Sequence, residues 1–314
     1  MQLPVIQPGQ PGSAPKGETP IFARIGIVGL GLIGGSIALA ARQIWPSSLV
    51  IAVDNKDVLE TAMRLHAIDV AADDPIVLAE ADLVILAAPV RQNLAILAKL
   101  DENVRQPAVI TDTGSTKRSI VEASARLPAR FTFVGGHPLG GGSVSGLDHA
   151  RPDLFAGRQW IFTPSGDGAG AALEQLLAFA SALGAEPRVM TAAAHDRVMA
   201  FVSHLPQLTA SALMQIVGEA AGADGLRMAG RGLVDTTRLA ASHPVIWKDI
   251  GITNADEIAV ALDGLIRLLQ ELRNDLGAGT RLAEVFGVAR EWREALMKDR
   301  PPARSTIPTD RSVL

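Results

Sequence analysis

The chain has no cysteine and no tyrosine, and only 8 phenylalanines and 4 tryptophans among its 314 residues. Without cysteine there is no disulfide, no thiolate nucleophile and no Cys-ligated metal, which fits a reducing, cytoplasmic setting. No metal site is expected. The missing tyrosine reads as compositional drift. No basic stripe is present and the net charge is −4, which argues against nucleic acid as the partner. No uninterrupted apolar run reaches the ~18–20 residues that span a bilayer, so no membrane association is expected. The first twenty residues carry Pro4, Pro8, Pro11, Pro15 and Pro20. They lack the basic start and apolar run of a signal peptide and read as a loose tail, as do residues 299–314 with Pro301, Pro302 and Pro308.

What remains is rich in apolar residues, 48% of the total, and its length suits about two domains. From Ile21 to about Met190, short β-branched runs alternate with helical stretches. The expected strands are Arg24–Val28, Leu49–Val53, Leu83–Ala87, Ala108–Thr111, Phe131–Val134, Trp160–Phe162 and Arg188–Met190. They are apolar throughout, the pattern of strands covered by helices on both faces of a mainly parallel sheet. After Thr191 the strand signal stops. Val198, Val202, Leu205, Leu208, Ala212 and Ile216 recur at steps of three or four, marking one helix face. Ile258, Leu262, Leu265, Leu269, Leu272 and Leu276 step 4, 3, 4, 3, 4, an apolar seam suited to a helix of the same chain or of a second subunit. The expected division is a sheet domain over 21–190 and an all-helical domain over 191–298, between the two tails.

One segment carries a specific signal. Gly29-Leu30-Gly31-Leu32-Ile33-Gly34 matches G-x-G-x-x-G. An expected strand precedes it and a helix rich in Ala and Ile follows. In that context Gly29, Gly31 and Gly34 permit a tight turn, and the pyrophosphate of a dinucleotide rests on the helix start with Leu32 and Ile33 beside it. Asp54 ends the next strand, 20 residues after Gly34, where an acid binds the adenosine ribose hydroxyls and repels a 2′-phosphate. The cofactor expected is NAD. The fold expected is α/β: a doubly wound, mainly parallel Rossmann sheet followed by an all-helical second domain.

In such sheets ligands sit at the carboxyl ends of the strands. Pro89, after Leu83–Ala87, and Asp112, at the end of the next expected strand, are expected at the cofactor. Ser115 follows in the same turn. His137 follows Phe131–Val134, in Gly135-Gly136-His137-Pro138-Leu139-Gly140-Gly141-Gly142. An imidazole titrates near neutrality, so His137 can take a hydroxyl proton while hydride leaves the same carbon, and Ser115 can hydrogen-bond that hydroxyl. Ser115 also suits a helix N-cap. In the helical half, His204 sits beside Pro206, and a proline inside a helix costs about 3 kcal/mol and frees a carbonyl. Arg238, in Asp235-Thr236-Thr237-Arg238, has the side chain best suited to grip a carboxylate at two points. Taken alone, it reads better as a surface salt-bridge residue.

Taken together these residues resemble the prephenate/arogenate dehydrogenases of tyrosine biosynthesis, over about Ile21 to Leu276. The motifs are Gly29–Gly34 with Asp54, Thr111–Lys117, Gly136-His137-Pro138, His195-Asp196, Ser203-His204-Leu205-Pro206, Asp235–Ala240 and Trp247–Ile250. The resemblance implies that NAD⁺ takes hydride from the hydroxyl-bearing ring carbon of a cyclohexadienyl substrate, which then loses carbon dioxide and becomes aromatic. It implies that His137 accepts the hydroxyl proton, Ser115 orients the hydroxyl, His204 contacts the substrate and Arg238 binds a carboxylate. It also implies a homodimer formed by the helical domain. Family members often read His-Leu-Pro-His where this chain has Gln207 in fourth place, so Gln207 is expected at the substrate. With Val234 at another departure, prephenate and arogenate both stay open. A β-hydroxyacid-type NAD dehydrogenase is the alternative, but it needs a lysine on a helix of the second domain, and His195–Glu219 contains none. An idle NAD-binding sensor would lack the proton-transfer residue, which is present.

Overall fold

The computed structural model describes residues 19–140, 144–166 and 170–298. The expected tails fall outside them apart from Thr19 and Pro20, as do Gly141 and Gly142. The chain divides into two compact units, one up to Ala259 and one from Val260.

The first unit is built on eight strands: β1 (Arg24–Val28), β2 (Leu49–Val53), β3 (Val70–Ala72), β4 (Leu83–Leu86), β5 (Ala108–Asp112), β6 (Phe131–Pro138), β7 (Gln159–Pro164) and β8 (Glu186–Val189). Among them run α1 (Leu32–Ile44), α2 (Lys56–Arg64), α3 (Val90–Leu97), α4 (Leu100–Asn103), α5 (Arg118–Ser124) and α6 (Gly170–Ala182). After the sheet come α7 (Ala192–Met199), α8 (Leu205–Leu226), α9 (Arg231–Thr237), α10 (Pro244–Thr253), α11 (Ala255–Asp275) and α12 (Thr280–Lys298).

The strand order is β3-β2-β1-β4-β5-β6-β7-β8. Its first six strands are parallel in the 3-2-1-4-5-6 order of the dinucleotide-binding fold. Strand residues point alternately to the two faces, and both faces are covered. Ile25, Ile27, Val50, Ala52, Leu83 and Ile85 join one buried cluster. Ile51, Val53, Val84, Leu86 and Ile110 join the other. This is why the strands read as apolar runs. Each fully buried aliphatic side chain contributes ~1.5–3 kcal/mol. Under α1 and α6, Trp45 stacks on Phe179 at 5.2 Å between ring centroids.

The unit boundary falls after Ala259, later than the division expected after residue 190, and two strands differ as well. β3 was not expected: it is a three-residue edge strand that exists by pairing with β2. β6 was expected to end at Val134 but continues through Pro138, because β7 runs antiparallel beside it and pairs Val134 with Pro164 through Pro138 with Trp160. His137 therefore sits inside a paired strand, opposite Ile161, rather than in a free loop. The proline expected to disturb the helix near His204 does so: α7 passes through one π-helical turn, Ala200–His204, before α8 starts with Pro206 in its first turn.

In the second unit, Ile266, Leu269, Phe286 and Trp292 are exposed on α11 and α12. No helix among the described residues is long and apolar enough to cross a membrane.

Candidate active site

Because β1, β4, β5 and β6 are adjacent and parallel, their carboxyl ends lie in one row along one sheet edge. That edge carries, in order, the glycine turn, Pro89, Ser115 and His137. α1 packs into one buried cluster and α3 into the other, so the two helices leave β1 and β4 toward opposite faces, the switch point of a doubly wound sheet.

At β1 the turn is forced by its glycines. Gly29 has φ +95° and a Cβ there would lie 2.8 Å from the Ala87 carbonyl carbon; a Cβ on Gly34 would lie 1.9 Å from the Gly29 oxygen. Gly31 is different, since a Cβ on it would meet nothing within 4 Å. Gly31 is also the N-cap of α1 and offers no side-chain cap. The start of α1 thus presents uncapped backbone N–H groups to open space, the requirement of a pyrophosphate cradle. Asp54 closes the turn from β2: its Oδ2 accepts the Leu30 N–H at 2.6 Å and its Oδ1 accepts the Asn55 N–H at 2.7 Å. At β4 the exposed Pro89 starts α3. The turn before it is braced by buried Asn93, which accepts from the Ala88 N–H and donates to the Leu86 carbonyl.

Asp112 departs from its expected cofactor contact. It is wholly buried and both of its oxygens are engaged: Oδ2 pairs with the Lys117 ammonium and accepts the Gly114 N–H, while Oδ1 accepts the Gly136 N–H. A carboxylate surrounded in this way braces β5 against β6 instead of facing a ligand. Lys117 is also fully buried; desolvation pulls its pKa down, and the Asp112 charge opposes that. Between these anchors, Thr113 N–H donates to the Leu86 carbonyl and Thr116 Oγ1 bonds Thr253 Oγ1. Half-buried Ser115 is left at the crest of the turn, with no hydrogen-bond partner among the described residues.

His137 bonds a second histidine. Its Nδ1 lies 2.8 Å from Nε2 of His195, and His195 Nδ1 lies 2.8 Å from Asp196 Oδ1. Asp196 accepts the backbone N–H groups of Lys117 and Arg118 at 2.7 and 2.9 Å. Burial, then the neighbouring His195, Lys117 and His204, push the His137 pKa well below its usual value. The His195-Asp196 pair is visible in the sequence as a motif, yet its chemical position is not, because it depends on α7 docking on the loop after β5.

His204 is buried, and its pKa falls to about 4, chiefly through desolvation. Its Nδ1 faces Asn254 Nδ2 at 3.3 Å. The Asn254 amide is oriented by the Arg118 guanidinium, which donates to Asn254 Oδ1 at 2.8 Å. Asn254 therefore donates to His204 Nδ1, which leaves the proton on Nε2. That Nε2 is buried and without a partner among the described residues, so the ring holds an unspent donor.

Gln207 is nearly buried, and its amide is used within the fold. Nε2 donates to the Leu239 carbonyl at 2.7 Å and Oε1 accepts from Ser242 Oγ at 3.1 Å. It ties α8 to the short turn Arg238–Ala241 rather than facing outward as a substrate ligand. Arg238 starts that turn, is exposed, and has no ion-pair partner among the described residues.

The chain is similar in sequence and fold to known proteins. Residues 37–189 match the family model "Prephenate dehydrogenase, nucleotide-binding domain", and residues 191–286 match "Prephenate dehydrogenase, dimerization domain". The chain is 36% identical over 278 residues to the prephenate dehydrogenase of Bacillus subtilis (strain 168), covering 86% of this chain and 75% of that protein. It is 32% identical over 289 residues to the cyclohexadienyl dehydrogenase of Zymomonas mobilis, covering 89% and 98%. Among solved structures it is similar to prephenate dehydrogenase from A. aeolicus in complex with hydroxyphenyl propionate and NAD⁺, with TM-score 0.81 and 29% identity over 87% of this chain and 98% of that one. The two family models together span most of the chain, and the chain belongs to the prephenate dehydrogenase family of oxidoreductases.

Proposed function

We propose that the protein catalyses the NAD-dependent oxidative decarboxylation of prephenate to 4-hydroxyphenylpyruvate. The observation that carries this reading is the row of groups along one sheet edge, from the open glycine turn at β1 to His137 at β6. Gly29, Gly31, Leu32, Ile33 and Gly34 would hold the pyrophosphate, Asp54 the adenosine ribose, and Pro89 would border the nicotinamide half. When bound, the nicotinamide supplies the hydride acceptor.

The chain's own groups do the rest. His137 is neutral at physiological pH and receives the substrate hydroxyl proton as the carbinol carbon is oxidised. Ser115 hydrogen-bonds the same oxygen. His204 donates from its free Nε2–H to a substrate oxygen, where it also satisfies a buried polar group that otherwise costs ~1–3 kcal/mol. Arg238, exposed and unpaired among the described residues, takes a substrate carboxylate, which a planar guanidinium grips at two points. Loss of carbon dioxide from the oxidised ring follows from its chemistry, because the departure restores aromaticity. Arogenate presents the same ring and hydroxyl and would react at the same groups.

The exposed Leu269, Phe286 and Trp292 on α11 and α12, in a stretch that overlaps the matched dimerisation domain, support a homodimer through the helical region. A chain without cysteine suits the cytoplasm.

The test is a rate comparison. Purified protein receives NAD or NADP with prephenate or arogenate, and reduced cofactor is followed by absorbance. Turnover is expected with prephenate and NAD. No turnover with either substrate would overturn the proposal.

A further inference from the structure

Six charged or titratable groups meet behind His137, and they do so in an order that decides where its proton sits. Among the described residues they are Asp112 from β5, Lys117 from the turn before α5, Arg118 from the start of α5, His195 and Asp196 from α7, and His204 from the π-helical turn; β7, which pairs with His137 through Ile161, adds no charge at that register. Asp196 is fully buried. Its burial favours the neutral acid, but the hydrogen bonds from His195 and from the Arg118 and Lys117 N–H groups win and lower its pKa. It is a carboxylate, and a carboxylate only accepts. His195 Nδ1, at 2.8 Å from it, must therefore donate. His195 is fully buried, and desolvation outweighs the pull of Asp196, so its pKa is lowered and it is neutral. A neutral imidazole has one N–H. With that proton on Nδ1, His195 Nε2 offers a lone pair to His137 Nδ1, 2.8 Å away. His137 Nδ1 must then carry the proton of its own ring, and Nε2 is left bare.

We infer that Asp196 and His195 are positioning residues that act through two hydrogen bonds in series to hold His137 as the Nδ1–H tautomer, with Nε2 as the basic atom. The inference rests on the reading of His137 as the hydroxyl-proton acceptor. The relay transfers no proton. When the substrate O–H breaks and the new N–H forms on His137 Nε2, the proton stays on that ring. The His195 lone pair and the Asp196 charge behind it then stabilise the imidazolium, the role a buried carboxylate plays behind the base of a hydrolase triad. The arrangement adds one imidazole between carboxylate and base. Both contacts also hold the ring in place on β6.

The decisive substitution is Asp196→Asn in the full chain. An amide that turns its NH₂ toward His195 Nδ1 reverses both rings and puts the proton on His137 Nε2, where it blocks the base. Turnover with prephenate and NAD is expected to fall by roughly 10²–10⁴-fold, in line with the wrong-tautomer effect known for triads, while the KM values and NAD dissociation constant stay near those of the parent. His195→Gln keeps a carbonyl that can accept from His137 Nδ1, so it should retain at least ten times the turnover of His195→Leu. A merely structural role would not produce that order. A second readout needs neither activity nor a variant. Nitrogen-15 NMR of the imidazole rings at pH 7 should show His137 protonated at Nδ1 and bare at Nε2 in the parent. Asp196→Asn should invert this. Parent protein with Nε2 protonated overturns the inference, as do Asp196→Asn and His195→Leu that turn over like the parent. If instead His137→Asn itself turns over like the parent, the base assignment has failed, and the NMR result still decides the tautomer.

Discussion

Leu30 donates its backbone N–H to Asp54 Oδ2 at 2.6 Å, so the acid that ends β2 is tied directly to the glycine turn that ends β1. One carboxylate thus shapes the glycine turn and stands where the proposed NAD complex would place the ribose hydroxyls. Asp54→Ser removes the charge that repels a 2′-phosphate. The ratio of kcat/KM for NAD to that for NADP should fall by at least tenfold, measured with saturating prephenate. An unchanged ratio would place the ribose acid elsewhere.

Arg238 is exposed and makes no ion pair among the described residues, so the fold asks little of it. Arg238→Ala should leave the thermal midpoint within a degree or two of the parent. A hydrogen bond to a charged group contributes about 1.5–3 kcal/mol, so the KM for prephenate should rise by roughly 10- to 100-fold. Steady-state kinetics beside thermal denaturation check both halves.

Gln207 separates two roles that substitution can tell apart. Its amide bonds Leu239 and Ser242, and removing it strands a half-buried carbonyl and a hydroxyl. Gln207→Leu should cost about 1–3 kcal/mol of stability and also raise the KM, because the turn that carries Arg238 loosens. A raised KM with unchanged urea stability would instead return Gln207 to direct substrate contact.

The sheet could be read from sequence because its central strands are apolar on both faces, and that pattern is local. β3 could not, because Val70-Ala71-Ala72 is short and is a strand only through its neighbour β2. The extension of β6 through His137 depends on β7, which pairs it from more than twenty residues away. The same distinction holds in the site. Gly29–Gly34, Asp54, Ser115 and His137 sit at strand ends, where one topological rule places them. Asp112 obeys the rule in position but not in contacts, because Lys117 captures it from within the same turn. The link between His137 and His195 crosses 58 residues and is set by how α7 docks, which no local pattern encodes. The roles of Asn254 and Gln207 are hidden for the same reason.

Acid should weaken the fold. His137, His195 and His204 all have depressed pKa values, with His204 at about 4. In the unfolded chain each takes up a proton near pH 6.5. Between about pH 6.5 and 4 the unfolded state therefore binds more protons than the native state, and stability falls as pH falls through that window. The slope is about 1 kcal/mol per pH unit for each histidine that stays neutral in the native state. Urea midpoints measured from pH 7.5 to 5 should decline steadily, and His204→Asn should flatten part of that slope.

The central claim is that His137 receives the substrate proton at the far end of the row that begins with the glycine turn. His137→Asn tests it most directly, with turnover and NAD binding measured on the same preparation. The account predicts kcat lower by ~10²–10⁴-fold, the size of a general-base effect, with the NAD dissociation constant unchanged. Turnover within a few fold of the parent would contradict it.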